Sequence, residues 1–600
     1  MPAPQDEYLR RLELHQLAEQ EADRLHRRLG WTRLLVLTTG IAMVVAVFDR
    51  NLPWGWGIWI AVGLFVGLTF WHQIVEQHRN RSRRGVAFYE RNLRRLRGDW
   101  RGSGPHGRGL SPEDHAFAAD LGVFGTGSLF EFYCRAVTPY GGRTFADWLL
   151  VPGARSEILA RQQAVAGLTP ALDAREEIAL AAGEDRFPVT EGVLRRWCSR
   201  PKLPPLRSMQ ILSVFLLVAF LGSLALWLAG SLGAIFPFAA FLAQILLVGR
   251  VRKSHGHELH AGDGALAELA ALRTILEQAR DCDPGDPLMV ELQATLSRGP
   301  QAAGPALESL RRRFELLDSG HNLIFVPLAL LIGWEIHVLA AIERWRTRFS
   351  DHTLGWLAAV GSFEALLSLA SHAYESPEEV FPEVLDSLDG GPAFVAQALA
   401  HPLLLPTEAV GNDVRLDARQ SLLLVSGSNM SGKSTLLRSI GANAILAQAG
   451  ATVRASSLSM TPMSLGASIA TEDSLLDHRS RFQAEIDRLA KLLELADGEK
   501  PLLFLLDELL SGTNSHDRRI GAEALLRAFL LRGSLGVATT HDLAITTIAD
   551  AADVAAVNVH FEDQISDQQI EFDYRLREGI VTRSNALALM RLVGLPVDEG

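Results

Sequence analysis

The strongest constraint on the fold is a run of 42 residues, 208–249, that contains no charged side chain. A helix needs about 20 apolar residues to cross the hydrocarbon core of a bilayer, so this run is long enough for two crossings. Gly230 and Gly233 near its middle favour a turn between the two halves. The run therefore predicts a transmembrane helical hairpin over residues 208–250.

A second pair of apolar runs lies nearer the N-terminus, at residues 34–48 and 53–71, with Asp49 and Arg50 between them. Together they predict another transmembrane hairpin over residues 34–72. The alternative is a helical hairpin buried inside the protein. A cleaved signal peptide does not fit, because the first apolar run begins only after residue 33 and a second run follows it.

Basic residues predict the orientation of both hairpins. They cluster outside the hairpins, so the positive-inside rule places both ends of each hairpin in the cytoplasm. The expected location is the bacterial inner membrane, with the N-terminus and the C-terminal region in the cytoplasm. The clusters are Arg24, Arg27, Arg28, Arg33, Arg79, Arg81, Arg83 and Arg84 around the first hairpin, and Arg195, Arg196, Arg200, Lys202, Arg207, Arg250, Arg252 and Lys253 around the second.

Charge and cysteine content exclude several classes of protein. The net charge is −11, so the chain as a whole is not a basic nucleic-acid binder, and any contact with DNA phosphates must be local. Three scattered cysteines exclude a disulfide framework and a four-cysteine zinc site. These features agree with a cytoplasmic environment for the parts outside the membrane.

The most informative motif is a glycine-rich loop in the last third of the chain. It follows a short apolar strand, residues 421–425, and precedes a helix expected over residues 435–448. This arrangement is typical of a P-loop, in which backbone N–H groups and a helix N-terminus surround the phosphates of a nucleotide. Lys433 is expected to reach the β- and γ-phosphates of ATP, and Ser434 to bind Mg²⁺. The predicted nucleotide-binding residues are Gly427, Ser428, Asn429, Met430, Ser431, Gly432, Lys433, Ser434 and Thr435.

Two acidic residues at the end of another apolar strand complete the motif. Residues 501–506 form an unbroken apolar run, as expected for a buried parallel strand, and Asp507 and Glu508 follow it. Asp507 is predicted to hold Mg²⁺, and Glu508 to act as the general base that activates water. His541 ends a third short strand, residues 536–540, and is a candidate contact for the γ-phosphate.

These residues resemble the MutS family of ABC-type ATPases. The Asn429–Met430 pair is similar to that family's P-loop, and Thr540–His541 is similar to its switch histidine. The resemblance implies a dimer with two composite ATP sites, to each of which the partner contributes Ser480. Further similar segments are Ala447–Gly450, Asp473–Ile486, Gly512–Thr513, Asp517, Asn558–His560, Gly579, Ser584–Leu587, Gly594–Pro596 and, upstream, Gly127–Phe130, Thr138–Arg143, Trp148–Pro152, Ile158 and Arg161–Gln162.

The chain also departs from that family. Residues before Gly127 do not resemble the mismatch-reading domain, and the second hairpin stands where family members insert a clamp that closes around DNA. Ala409 falls where the family has an aromatic side chain that stacks on adenine. The resemblance therefore implies the ATPase more strongly than it implies mismatch recognition.

The expected fold is an α/β ABC-type P-loop ATPase domain at the C-terminus. An all-α core and lever domain precedes it and is interrupted by the second hairpin. The short apolar run from Leu323 to Trp334 ends at Glu335, which favours a buried helix over a fifth crossing. The expected parts are a basic cytosolic helix (1–33), hairpin 1 (34–72), a linker and first part of the core (73–207), hairpin 2 (208–250), the second part of the core and lever (251–392) and the ATPase domain (393–600).

Two functions are compatible with this organisation. The first is a membrane-anchored MutS-like ATPase that hydrolyses ATP as a homodimer and acts on DNA, in mismatch repair or recombination. The alternative is an ATP-driven membrane machine or regulator that does not bind DNA. The basic clusters beside the hairpins suit anionic lipid headgroups better than DNA, so DNA binding depends on the resemblance.

Overall fold

A computed structural model of the chain describes residues 3–50, 55–112, 114–181, 192–201, 206–283, 285–297, 302–320, 325–428, 431–469, 481–510, 513–551, 554–566 and 569–580. The first two thirds are helical and the last third is an α/β region. The helices before the sheets are α1 (Pro4–Arg50), α2 (Gly55–Leu96), α3 (Leu129–Tyr133), α4 (Pro139–Leu150), α5 (Arg155–Leu168), α6 (Leu172–Ala181), α7 (Val193–Ser199), α8 (Arg207–Leu228), α9 (Ile235–Asp281), α10 (Pro287–Ser297), α11 (Ala303–Ser319), α12 (Val326–Ile332) and α13 (Trp334–Glu375).

Five of the described helices are long and apolar enough to cross a membrane by length and composition. We compared the most apolar 18-residue stretch of each of these helices. At most 28% of this stretch is buried in α1, α2, α8 and the first part of α9, whereas 78% is buried in α13. Helices α1 and α2 pair, and so do α8 and α9, which gives two helical hairpins with apolar outer surfaces. The exposed apolar surfaces therefore coincide with the two predicted hairpins.

The long helices extend well beyond the apolar runs. Helix α1 begins at Pro4, α2 continues to Leu96 and α9 continues to Asp281. Each hairpin thus carries polar extensions, which reach about 40 Å beyond the apolar run at the helical rise of 1.5 Å per residue. Sequence reasoning assigned residues after 72 to a linker, whereas α2 runs unbroken through that boundary.

Helix α13 is the centre of the helical region. It is 42 residues long and contacts α4, α5, α7, α9, α10 and α11. Phe363 and Leu366 on this helix are fully buried. Helix α12, which covers most of the apolar run from Leu323 to Trp334, has seven residues and is too short to span a bilayer.

The α/β region contains two sheets. A six-stranded sheet has the order β10-β9-β4-β8-β7-β6, parallel except for the antiparallel β9–β10 pair, and a four-stranded sheet has the order β1-β5-β2-β3. All residues of β4, β7 and β8 are buried, as continuous apolar runs predict. The elements are β1 (Glu383–Val384), β2 (Phe394–Leu399), β3 (Asn412–Leu416), β4 (Leu422–Ser426), α14 (Lys433–Ala449), β5 (Ser457–Met460), β6 (Ser464–Ser468), α15 (Arg481–Ala496), β7 (Leu502–Leu506), α16 (Ser515–Leu531), β8 (Leu535–Thr540), α17 (Leu543–Thr546), β9 (Ala556–Ser566) and β10 (Gln569–Glu578).

Candidate functional site

The candidate site lies where three neighbouring parallel strands end. Strand β8 lies between β4 and β7, with Ser426 opposite Thr540 and Leu506 opposite Ala538. Parallel strands present their carboxyl ends at one edge of the sheet, and ligands of open α/β sheets bind at this edge. The glycine-rich loop follows β4, Asp507 and Glu508 follow β7, and His541 follows β8, so all three segments begin at this edge.

The first residues of the glycine-rich loop contact the side chain of Lys433. Gly427 and Gly432 have φ angles of 145° and 102°, which a residue with a side chain rarely adopts. Lys433 is only 2% exposed, and its Nζ donates hydrogen bonds to the carbonyl oxygens of Gly427 (2.6 Å) and Ser428 (2.8 Å). The ammonium group is thus held by the backbone at the start of the loop, where a phosphate group would pair with it.

A chain of hydrogen bonds connects the loop to the acidic residues. Ser434 Oγ, in the first turn of α14, donates to Asp507 Oδ2 at 2.5 Å. Thr539 Oγ1 donates to the other carboxylate oxygen of Asp507, also at 2.5 Å, and accepts from the backbone N–H of Glu508 at 2.9 Å. Hydroxyl and carboxylate oxygens at this spacing are the ligand types that Mg²⁺ prefers.

Glu508 stands on a strained turn. Its φ is 49°, in the left-handed region that a residue with a Cβ seldom occupies, and Leu510 follows with a φ of 55°. The buried carboxylate of Glu485 accepts a hydrogen bond of 2.7 Å from the backbone N–H of Leu510 and so fixes this turn. Such strain concentrates at functional sites.

Arg518 links the turn to His541. Its guanidinium donates to the carbonyl oxygens of Leu510 (3.2 Å) and Thr513 (3.0 Å) and lies 3.4 Å from His541 Nε2. Glu485 belongs to the segment Asp473–Ile486 that resembles the family's signature segment. The sequence did not identify Thr539 and Arg518 as site residues, because their roles arise from contacts between different strands and helices. No motif spacing identifies them.

An aromatic side chain also borders the glycine-rich loop. Tyr574 lies at a bulge in β10, with a φ of 53°, and its ring is so close to Gly432 that a Cβ there would be 3.1 Å from Tyr574 Cδ1. Asn412 fixes the bulge, because its amide donates to the carbonyl of Tyr574 (2.9 Å) and accepts from the N–H of Leu576 (2.7 Å). Ala409 supplies no ring, whereas Tyr574 places one beside Gly432 of the glycine-rich loop.

Some predicted residues fall outside the described part of the chain. These are Asn429 and Met430 in the loop, Ser480 in the predicted partner-contacting segment, Gly512, and the C-terminal segments at Ser584–Leu587 and Gly594–Pro596. Thr435 is described and exposed on α14. Within the described residues, no group of three or more histidine, cysteine or acidic side chains forms a ready metal site.

Comparison with known proteins gives one family. The family model of MutS domain V matches residues 423–598. The chain is 32% identical over 384 residues to endonuclease MutS2 of Thermomicrobium roseum, which covers 56% of this chain and 46% of that protein. It is 35% identical over 204 residues to endonuclease MutS2 of Thermus thermophilus (33% of this chain, 26% of that protein), and 28% identical over 308 residues to DNA mismatch repair protein MutS 2 of Halobacterium salinarum (50% and 33%). The chain therefore spans less than half the length of each of these relatives.

Proposed function

Since this chain belongs to the MutS family, we propose that it is a membrane-anchored ATPase that hydrolyses ATP as a homodimer and acts on DNA. The observation that carries the ATPase part is the bonded set of Lys433, Ser434 and Asp507 at the ends of adjacent parallel strands. The names of the relatives, an endonuclease and a mismatch repair protein, support DNA as the substrate on which the ATPase acts.

The site residues take distinct roles in this proposal. Lys433 pairs with the β- and γ-phosphates, and the N–H groups of the loop bind phosphate oxygens. Ser434 and Asp507 would hold Mg²⁺, which supplies charge stabilisation at the phosphates when bound. Glu508 accepts a proton from the attacking water, and His541 contacts the γ-phosphate. Ser480 of the second copy is expected to complete each site.

The membrane anchorage is supported by exposed apolar surface. Leu212, Phe215 and Val218 on α8 are 43 to 66% exposed, although a soluble helix would bury such side chains. Lipid chains would cover this surface and that of α1 and α2. The test is extraction of the native membrane fraction: the protein is expected to stay with the pellet in alkaline carbonate and to dissolve only in detergent. Release by carbonate alone would contradict the anchor.

ATP turnover with and without DNA tests the proposed function. We expect the detergent-solubilised dimer to hydrolyse ATP faster with homoduplex, mismatched or branched DNA, and the stimulation to fall steeply with salt because phosphate contacts release counterions. Robust turnover that ignores every DNA form would instead favour the ATP-driven membrane machine. Absence of ATP hydrolysis under all conditions would contradict both.

Tyr574 is proposed to stack on the adenine base in place of the aromatic residue missing at Ala409. Stacking of a base on an aromatic ring contributes about 1–3 kcal/mol, so Tyr574→Ala is expected to raise the Kd for ATP about tenfold or more. Tyr574→Phe keeps the ring and serves as the matched control. Binding of a fluorescent ATP analogue, measured with ATP and GTP as competitors, reports both affinity and base preference. An unchanged ATP affinity in Tyr574→Ala would assign the base contact elsewhere.

A further inference from the structure

A small cavity lies far from the ATP site, where the extension of hairpin 1 meets the core. Its volume is about 50 Å³, and it is lined by residues of α2, α6, α13 and the segment between α3 and α4. Three arginines from three of these elements line it: Arg91 on α2, Arg135 before α4 and Arg175 on α6. The cavity is thus a meeting point of elements that are distant in sequence.

The arginines present unsatisfied donors. Four of their buried nitrogens, Nε of Arg91, Nε of Arg135, and Nε and Nη2 of Arg175, have no hydrogen-bond partner among the described residues. Arg175 is only 6% exposed, and the side chain of Arg135 is 9% exposed. An unpaired buried donor costs about 1–3 kcal/mol, and more when it is charged, so four in one place indicate a missing acceptor.

The nearby carboxylates do not balance this charge. Glu375 pairs with Arg135 Nη2 at 2.8 Å. Glu364 also lines the cavity, but its oxygens accept the backbone N–H groups of Val137 (2.8 Å) and Thr138 (3.1 Å) and the Thr138 hydroxyl. Burial raises the pKa of Glu364 to about 7, which further reduces its negative charge at neutral pH.

The guanidinium groups themselves remain charged. Burial lowers the pKa of Arg91, with a smaller effect from Arg135, and burial also lowers the pKa of Arg175. The guanidinium pKa starts so high that these groups do not lose their protons in proteins. The cavity therefore contains more positive than negative charge.

We propose that this cavity is a binding site for a small tetrahedral oxyanion of the phosphate and sulfate class. A water molecule needs about 10–15 Å³ of such space, so the cavity accommodates roughly four oxygen-sized groups, which matches one tetrahedral oxyanion. Guanidinium groups form charge-assisted hydrogen bonds with such anions. The bound anion would connect α2 of hairpin 1 to α6 and α13.

A soluble anion fits this position better than a lipid headgroup. Arg91 lies 20 residues beyond Trp71, the last residue of the apolar run, which corresponds to about 30 Å along a helix. A headgroup at the membrane surface is too far from the cavity at that distance. Inorganic phosphate is therefore the appropriate probe.

Titration calorimetry of the full-length protein in detergent, with inorganic phosphate at constant ionic strength, tests the site. The P-loop also binds phosphate, so the titration is carried out in the Lys433→Ala background, where binding at the arginine cavity is expected to persist. Arg175→Gln in that background is expected to weaken phosphate binding about tenfold or more, because it removes charge-assisted hydrogen bonds. Arg94→Gln, an exposed arginine on the same α2 helix, is the control and should leave affinity unchanged.

Arg91→Gln provides a second test of phosphate binding if Arg175→Gln does not fold. Arg91→Gln changes a less buried position, and phosphate is expected to raise the Tm of the Lys433→Ala protein but not of Lys433→Ala with Arg91→Gln. The proposal is overturned if Lys433→Ala alone abolishes phosphate binding, or if the cavity variants bind phosphate as tightly as the parent. Tighter binding of a short-chain phosphatidic acid than of phosphate or sulfate would also overturn it, because the ligand would then be a lipid.

Discussion

Glu508→Gln is expected to bind ATP normally and to hydrolyse it about 100-fold more slowly or worse, because a general base contributes about 10²–10⁴ in rate. Glutamine keeps the size and the backbone turn of Glu508 but cannot accept the proton of water. Lys433, Ser434 and Asp507 are unchanged, so the phosphates retain their partners. Steady-state phosphate release and equilibrium binding of an ATP analogue separate the two effects.

The same variant is expected to accumulate as a dimer with ATP bound. If Ser480 of a second copy completes each site, ATP holds the two copies together until it is hydrolysed. Light scattering of the detergent-solubilised protein with and without ATP measures this. Glu499→Gln is the matched control, since Glu499 is exposed. It lies before the start of β7, whereas Glu508 lies after the end of β7. Turnover by Glu508→Gln at the rate of the Glu499→Gln control would exclude Glu508 as the base.

The parts of this site that sequence could predict are those defined by spacing along one strand and its following loop. Gly427 to Ser434 and the Asp507–Glu508 pair each follow an apolar strand. The residue pattern along the strand and the position of its end were therefore sufficient to predict them. Thr539 and Tyr574 could not be predicted, because one bonds Asp507 from a neighbouring strand and the other reaches Gly432 through a bulge. Hydropathy likewise located the apolar runs of the hairpins but not the polar helix that continues from residue 72 to Leu96.

Helix α13 is bonded to both hairpins and, at its C-terminal end, to a residue that bonds the α/β region. Near its start, Glu335 Oε2 accepts a hydrogen bond of 2.6 Å from Arg252 Nε of α9. At its end, Glu375 Oε1 accepts a hydrogen bond of 3.2 Å from the Tyr8 hydroxyl of α1. Three residues before Glu375, His372 forms a hydrogen bond of 2.7 Å with Glu379. Glu379 in turn accepts a hydrogen bond of 3.2 Å from the hydroxyl of Thr452, which follows α14. One helix about 63 Å long thus bonds to the extensions of both hairpins and, through Glu379, to the α/β region.

Glu375 is a buried charged residue of this connection. Its side chain is buried beside Arg135, and Tyr8 donates to its other oxygen. Burial by itself would raise the pKa of Glu375, but Arg135, Arg95 and His372 more than offset this, so the pKa is lowered. The folded state therefore prefers the ionised carboxylate.

Glu375→Gln is expected to destabilise the protein by about 3 kcal/mol or more, because it leaves the buried Arg135 without its counter-charge. Tyr8→Phe removes only one hydrogen bond and should cost about 1 kcal/mol, whereas Glu277→Gln, in the exposed pair with Arg273, should cost less than about 0.5 kcal/mol. Thermal unfolding in detergent ranks the three variants.

The stability that Glu375 contributes is expected to depend on pH. Since the folded pKa of Glu375 is lowered, its contribution to the free energy of unfolding is fully present above the unfolded pKa of about 4.3 and is lost as pH falls through the folded pKa. The difference in Tm between the parent and Glu375→Gln should therefore shrink on acidification, and a difference that is independent of pH would show that the charge of Glu375 does not hold this junction together.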